Sequence, residues 1–144
     1  MKKVFFIIKI LVINVLVIFS VYATESQYFH DGKKLFDEKN LKDSKFLFEK
    51  DIVFNTRSEM SYLYLAKIFE INENNDDQEK NLNTVLLLNP KNEEALYLLM
   101  KLKIRQSNFS KVEQLLEKFK LVCVSFCEKN SEIEKELKGL SPDK

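Results

Sequence analysis

Asn89-Pro90-Lys91-Asn92-Glu93-Glu94-Ala95-Leu96-Tyr97-Leu98-Leu99-Met100 is the stretch on which the reading of this chain turns. Proline disfavours the α conformation in the residue before it, so a helix must close at Asn89. Beyond it, apolar residues recur at three- and four-residue intervals, and a new amphipathic helix opens at Glu93. The same signals return at a fixed interval of 34 residues: Leu96 falls on Tyr62 and Tyr28, and Met100 on Ala66 and Gly32. Phe48, Leu82 and Leu116 keep that spacing, as do Leu41, Asn75 and Phe109. A period of this length marks stacked helical hairpins, which cannot bury their apolar faces alone and so bury them on one another.

Working outward from this stretch, the periodicity predicts six helices in three pairs, over residues 26–38 and 42–54, 59–71 and 77–88, and 93–105 and 110–122. Lys39-Asn40, the polar run 72–76 and Ser107-Asn108 make the turns within the pairs. The chain has only 2 Gly and 2 Pro, too few turn formers for a β-rich fold. Its 45% hydrophobic and 31% charged residues describe one globular domain.

These residues resemble the tetratricopeptide repeat. The third unit carries the resemblance through residues 89–99, Asn108-Phe109 and Leu115-Leu116. The second carries it through Tyr62, Leu65, Ala66, Phe69 and Pro90, and the first through Tyr28, Gly32, Leu35, Leu41, Ser44 and Phe48. Asp51, Gln78 and Lys103 depart from the pattern, standing where the family has two small residues and an aromatic one. The resemblance covers residues 25–126 and implies an all-α solenoid of three helix-turn-helix repeats with a C-terminal capping helix. Residues 127–144 form that cap and its tail. Ser131 and Glu134 make a capping-box pattern before Ile133 and Leu137, with Gly139 and Pro142 expected to end the helix.

The amino terminus is a separate object. Lys2, Lys3 and Lys9 precede an apolar stretch from residue 10 to 19, and Val21-Tyr22-Ala23 offers small residues for cleavage after Ala23. Residues 1–23 thus have the layout of a secretory signal peptide, and a periplasmic location is the expectation. The alternative is an uncleaved anchor through residues 4–21, which would tie the chain to a membrane. Cleavage would remove three lysines and no acid, leaving 20 basic against 22 acidic residues, a net of −2. Such a chain lacks the basic face that nucleic acid requires.

Cys123 and Cys127 lie where the third pair meets the cap. In an oxidising compartment two nearby cysteines commonly pair, which here needs a break in the helix at residues 124–126. The resemblance favours this reading, since some exported repeat proteins pin their last helix with a local cysteine pair. Free thiols, a redox dithiol and a metal site are the alternatives. Zinc would need two more ligands, and the only histidine is His30. His30 beside Asp31 has no nucleophile placed to complete a catalytic site. The acidic residues 73–77 lack the central glycine of a calcium loop. No phosphate-binding glycine loop is present. No cofactor, no metal and no catalysis are expected.

The remaining candidate site is implied by the resemblance: in the family, the first helix of each pair lines a concave face. Register places Phe29, Leu63 and Tyr97 in one row there, Lys33, Lys67 and Lys101 in the next, and Phe36, Glu70 and Ile104 beyond. Apolar side chains beside stacked ammonium groups suit an extended peptide with acidic side chains or a free carboxylate. The asparagines of the family's two-carboxylate clamp are missing at the matching positions. The expected function is protein–protein interaction in the cell envelope. The alternatives are a structural subunit or scaffold with the groove unused, or a thiol-dependent redox helper.

Overall fold

A computed structural model describes residues 25–140, so the signal-peptide or anchor segment and the tail from residue 141 lie outside the described residues. Seven helices, and no strand, occur among the described residues: α1 Gln27–Asp37, α2 Leu41–Phe54, α3 Glu59–Ile71, α4 Asn75–Leu88, α5 Glu93–Arg105, α6 Phe109–Val122 and α7 Lys129–Leu140. Successive helices pack on one another as three antiparallel hairpins, and α7 closes the stack against α5 and α6. The all-α hairpin architecture read from the 34-residue period is the observed one.

The second helix of each pair begins one or two residues earlier than the apolar pattern indicated. Asn40, Asn74 and Asn108, again one period apart, cap α2, α4 and α6 by accepting from the backbone N–H of Asp43, Asp77 and Lys111. Each follows a residue in the left-handed region, Lys39 (φ 64°), Glu73 (φ 55°) and Ser107 (φ 55°). The three hairpins therefore share one turn geometry, in which an Asn side chain satisfies a helix start that the apolar pattern cannot reveal.

The joints between hairpins are polar and equally regular. Asn92 caps α5 through Ala95 N–H, and its amide, with that of Asn89, donates to Glu59 at the start of α3. One repeat later the Glu93 carboxylate accepts from the backbone N–H groups of Phe126 (2.7 Å) and Ser125 (2.9 Å). The Phe126 N–H, followed by that of Val124, holds the Glu93 carboxyl below its ordinary range. The stretch 89–92 is thus the joint between the second and third hairpins.

Apolar packing fills the interior in two clusters. Phe29, Phe48, Tyr64, Leu65 and Ile68 form the first, beneath the N-terminal hairpin. The second runs from Leu63 and Ala66 through Leu96, Met100, Leu116 and Phe119 to Ile133, which inserts α7 into the core. At Gly32, a Cβ would come within 3.0 Å of the Phe48 ring, so the absence of a side chain there admits the ring.

The three departures from the repeat pattern are buried, and each has polar partners. Asp51 accepts from the hydroxyls of Ser26, Ser58 and Ser61. The Gln78 Oε1 accepts from Arg105 at 2.8 Å. Lys103 pairs with Glu79 at 2.6 Å and donates to the Gln106 Oε1 at 2.8 Å. Buried polar groups cost little only when they are hydrogen-bonded; Asp51 and Lys103 come with their complements, whereas Gln78 is half-satisfied, its Nε2 buried without a partner.

The cap differs from its expected form. Helix α7 starts at Lys129, so Ser131 lies inside its first turn and donates its hydroxyl to the Glu128 carbonyl instead of capping the helix. Glu134 does not reach back to a cap either; it pairs with Lys120 of α6 at 3.0 Å. Gly139 lies within the helix, which runs on to Leu140, and Pro142 is outside the described residues. The helix starts early because the Lys129 and Asn130 N–H groups already bond to the carbonyls of Phe126 and Cys127. As expected, residues 124–126 are not helical: α6 ends at Val122, with Cys123 as its C-cap. The turn brings the two sulfurs to bonding distance, with Cα atoms 5.3 Å apart.

Candidate partner-binding groove

The first helices α1, α3 and α5 carry all nine residues singled out for the concave face, but the structure divides them by role. Phe29 and Leu63 are almost fully buried, at 3% and 1% exposure. Phe29 packs edge-on against Tyr64, with ring centroids 5.7 Å apart, and Leu63 belongs to the main core. Their contribution is to support the face rather than to offer contact area. Tyr97, the third of that row, is half-buried and presents its phenol to α7, where its hydroxyl donates to the Glu132 carboxylate at 2.6 Å. Burial, and then this hydrogen bond, push the Tyr97 phenol above its ordinary pKa. The same bond, followed by that from Lys129, holds the Glu132 carboxyl below the usual carboxylate range.

Each lysine of the middle row has a carboxylate partner. Lys33 reaches Asp37 one turn on, at 3.1 Å, and that hydrogen bond raises its pKa. Lys67 lies 2.7 Å from Glu94 of the next repeat and 4.6 Å from the centre of the Tyr64 ring. Lys101 pairs with Glu136, and with Glu132 at 3.7 Å, both on α7. Partly exposed pairs such as those of Lys67 and Lys101 contribute about 0.2–1 kcal/mol each, so they set orientation more than stability. In the last row Phe36 packs edge-on against Tyr64 at 5.1 Å. Glu70 meets the Arg105 guanidinium at 3.2 Å, and Ile104 is half-buried against the core.

The face is therefore a charge-balanced surface instead of a row of bare cations. Glu94, Glu132, Glu136 and Arg105, which supply the balance, were not among the residues singled out from sequence. They stand 27 to 35 residues beyond their partners, in the next repeat or the cap. Helical spacing alone cannot pair them, whereas the repeat period places them on adjacent first helices. Chemically, the face can exchange an internal carboxylate for an external one at Lys67 or Lys101. His30, the isolated histidine, is exposed, with its Nε2 3.8 Å from the Glu25 carboxylate.

No protein-family model matches the sequence, and no curated protein matches it. The fold nevertheless has solved counterparts. The TPR2B domain of yeast Sti1, solved as a complex with pHsp70, superposes with a TM-score of 0.72 at 10% identity, covering 81% of this chain and 100% of that one. The first TPR of Spaghetti (RPAP3), bound to the HSP90 peptide SRMEEVD, gives 0.71 at 13% identity over 80% of this chain and 94% of the other. The Yersinia enterocolitica type III secretion chaperone SycD, in complex with a peptide of the translocator YopD, gives 0.70 at 11% identity over 78% and 88%. The fold is that of the tetratricopeptide repeat.

Proposed function

We propose that this chain of tetratricopeptide fold is an exported, non-catalytic interaction module of the cell envelope, most simply periplasmic, that holds a peptide or partner segment on its concave face. The observation that carries the reading is the line of Lys67, Tyr97 and Lys101 along adjacent first helices, each already engaged by an exchangeable carboxylate. Support comes from the complexes in which the three solved counterparts were determined, two of them with peptides. A ligand carboxylate would replace Glu94 at Lys67, while Phe36 and Ile104 offer half-buried apolar contact beside it. The lysines would set the direction of the bound segment, and the apolar atoms would supply affinity.

The test is affinity capture from the native envelope with the chain and with a Lys67→Met/Lys101→Met variant. Methionine keeps the apolar stems and removes the charges, whereas glutamate would face Glu94 and Glu136 and disturb the cap. Capture is expected to fall about tenfold or more, the cost of losing charge-assisted contacts, with the helical circular dichroism unchanged. Undiminished capture would move binding to the convex face or the ends of the stack, the structural-subunit reading.

In the exported protein we assign Cys123 and Cys127 to a structural disulfide that fixes the turn between α6 and α7. Replacing both with serine is expected to cost about 2 kcal/mol, the chain-entropy value for so short a loop, read from urea denaturation under oxidising conditions. Partner capture that disappears while stability stays unchanged would instead point to a redox role.

A further inference from the structure

We propose that the edge of the stack where the second helices end is a membrane-contact surface, laid against an anionic lipid bilayer. Val53, Leu87 and Leu121 stand 34 residues apart, at the same position of α2, α4 and α6, and are 73%, 81% and 86% exposed. Phe54 and Val124 extend the column at 72% and 84%. Single exposed apolar residues are ordinary, but an aligned series at one edge marks a surface that meets something apolar.

Charge identifies what it meets. Arg57 and Lys91 follow Val53 and Leu87 in equivalent turns, and Lys118 lies one helical turn before Leu121. A cleft between α4 and α6 is lined by Leu86, Leu87 and Leu115 together with Lys111 and Lys118. Among the described residues none of Arg57, Lys91 and Lys118 is ion-paired, whereas every lysine of the groove row is. Apolar side chains rimmed by unengaged cations suit the acyl–headgroup boundary of an anionic membrane. A second copy of the chain fits less well, because a two-fold contact across this edge would oppose like charges.

The chain's own path agrees. Tyr28, in the first turn of α1, stacks on Phe54 with ring centroids 5.6 Å apart, and Ser26 bonds to Asp51 of α2. The start of α1 therefore lies on this same edge. The apolar residues 4–21 stand only a few positions before it in the sequence. The first described residues thus lie beside the proposed contact surface.

The chain contains no tryptophan, so single Leu87→Trp, Leu121→Trp and Gln106→Trp variants of the full 144 residues each carry one clean fluorophore. Gln106 lies at the opposite edge, in the turn after α5. Each variant is reconstituted in vesicles of phosphatidylethanolamine and phosphatidylglycerol bearing brominated acyl chains. The Leu87→Trp and Leu121→Trp proteins are expected to lose most of their fluorescence to bromine quenching, and Gln106→Trp to keep it. Equal quenching at all three positions, or none, overturns the proposal. A blue shift at Leu87→Trp that grows with protein concentration but is not quenched by bromolipid assigns the edge to a second copy, and overturns it too.

Discussion

Phe48→Ala is expected to lower stability by about 4 kcal/mol, the range for truncating a fully buried phenylalanine. Phe48 has no exposed surface, and its ring lies 5.1 Å from that of Tyr64 and 5.8 Å from that of Phe29. It thus joins α1, α2 and α3, the elements of the smaller of the two clusters. The space it occupies exists because Gly32 has no side chain, so the backbone of α1 and the ring are matched in shape. Collapse is hard there, since the neighbouring rings pack on Phe48 and on one another. Urea denaturation at constant m-value is the measurement, and a loss below about 1 kcal/mol would show that the site repacks. A mutant cycle sharpens the test: Gly32→Ala should destabilise the native chain yet be better tolerated beside Phe48→Leu, where the ring no longer meets the added Cβ.

The apolar half of this architecture is legible in the sequence. Tyr28, Gly32, Phe48 and their equivalents recur because each must meet the next hairpin, and burial imposes a period that a single sequence displays. The polar half was not legible at the same level. Asn40, Asn74 and Asn108 are as regular as the apolar columns, yet a polar residue in a turn carries no burial signal. Counter-ions such as Glu94 and Glu136 are set by where consecutive first helices lie, which helical spacing within one segment does not encode. The groove residues split for the same reason. Register assigns these residues to the first helices, but burial separates Phe29 and Leu63, which lie in the core, from Lys67, Tyr97 and Lys101, which stay partly exposed. The cap showed the opposite failure: Ser131 and Glu134 have the capping-box spacing, but bonds from the cysteine turn start the helix three residues earlier.

Asp51 should be the polar position most sensitive to change, with Asp51→Ala costing about 3 kcal/mol. It is 1% exposed and accepts from three serine hydroxyls that belong to three places in the chain. Ser26 caps α1, accepting from Phe29 N–H at 3.1 Å while donating to Asp51. Ser58, at the N-cap position of α3, makes no side-chain capping bond and donates its hydroxyl to Asp51, and Ser61 lies in the first turn of α3. A hydrogen bond to a charged group contributes about 1.5–3 kcal/mol, and hydroxyls left without an acceptor keep their desolvation cost. Removing the buried charge offsets part of that, which is why the expected loss is near one strong bond rather than three. Asp51→Asn is expected to cost less than Asp51→Ala. It retains one acceptor oxygen, but turns an amide donor towards hydroxyls that also donate. The loss should be local as well as global: hydrogen exchange in α1 should accelerate more than in α5, since Ser26 ties the first helix to the stack through this carboxylate. Equal acceleration in both helices, or an Asp51→Ala variant as stable as the native chain, would mean that the apolar contacts of Phe29 and Phe48 hold α1 without it. The departure from the repeat pattern at residue 51 then has a physical reading. Where a small residue would let two helices touch, this chain places a charge and surrounds it with serines, exchanging close packing for a directional joint at its first hairpin.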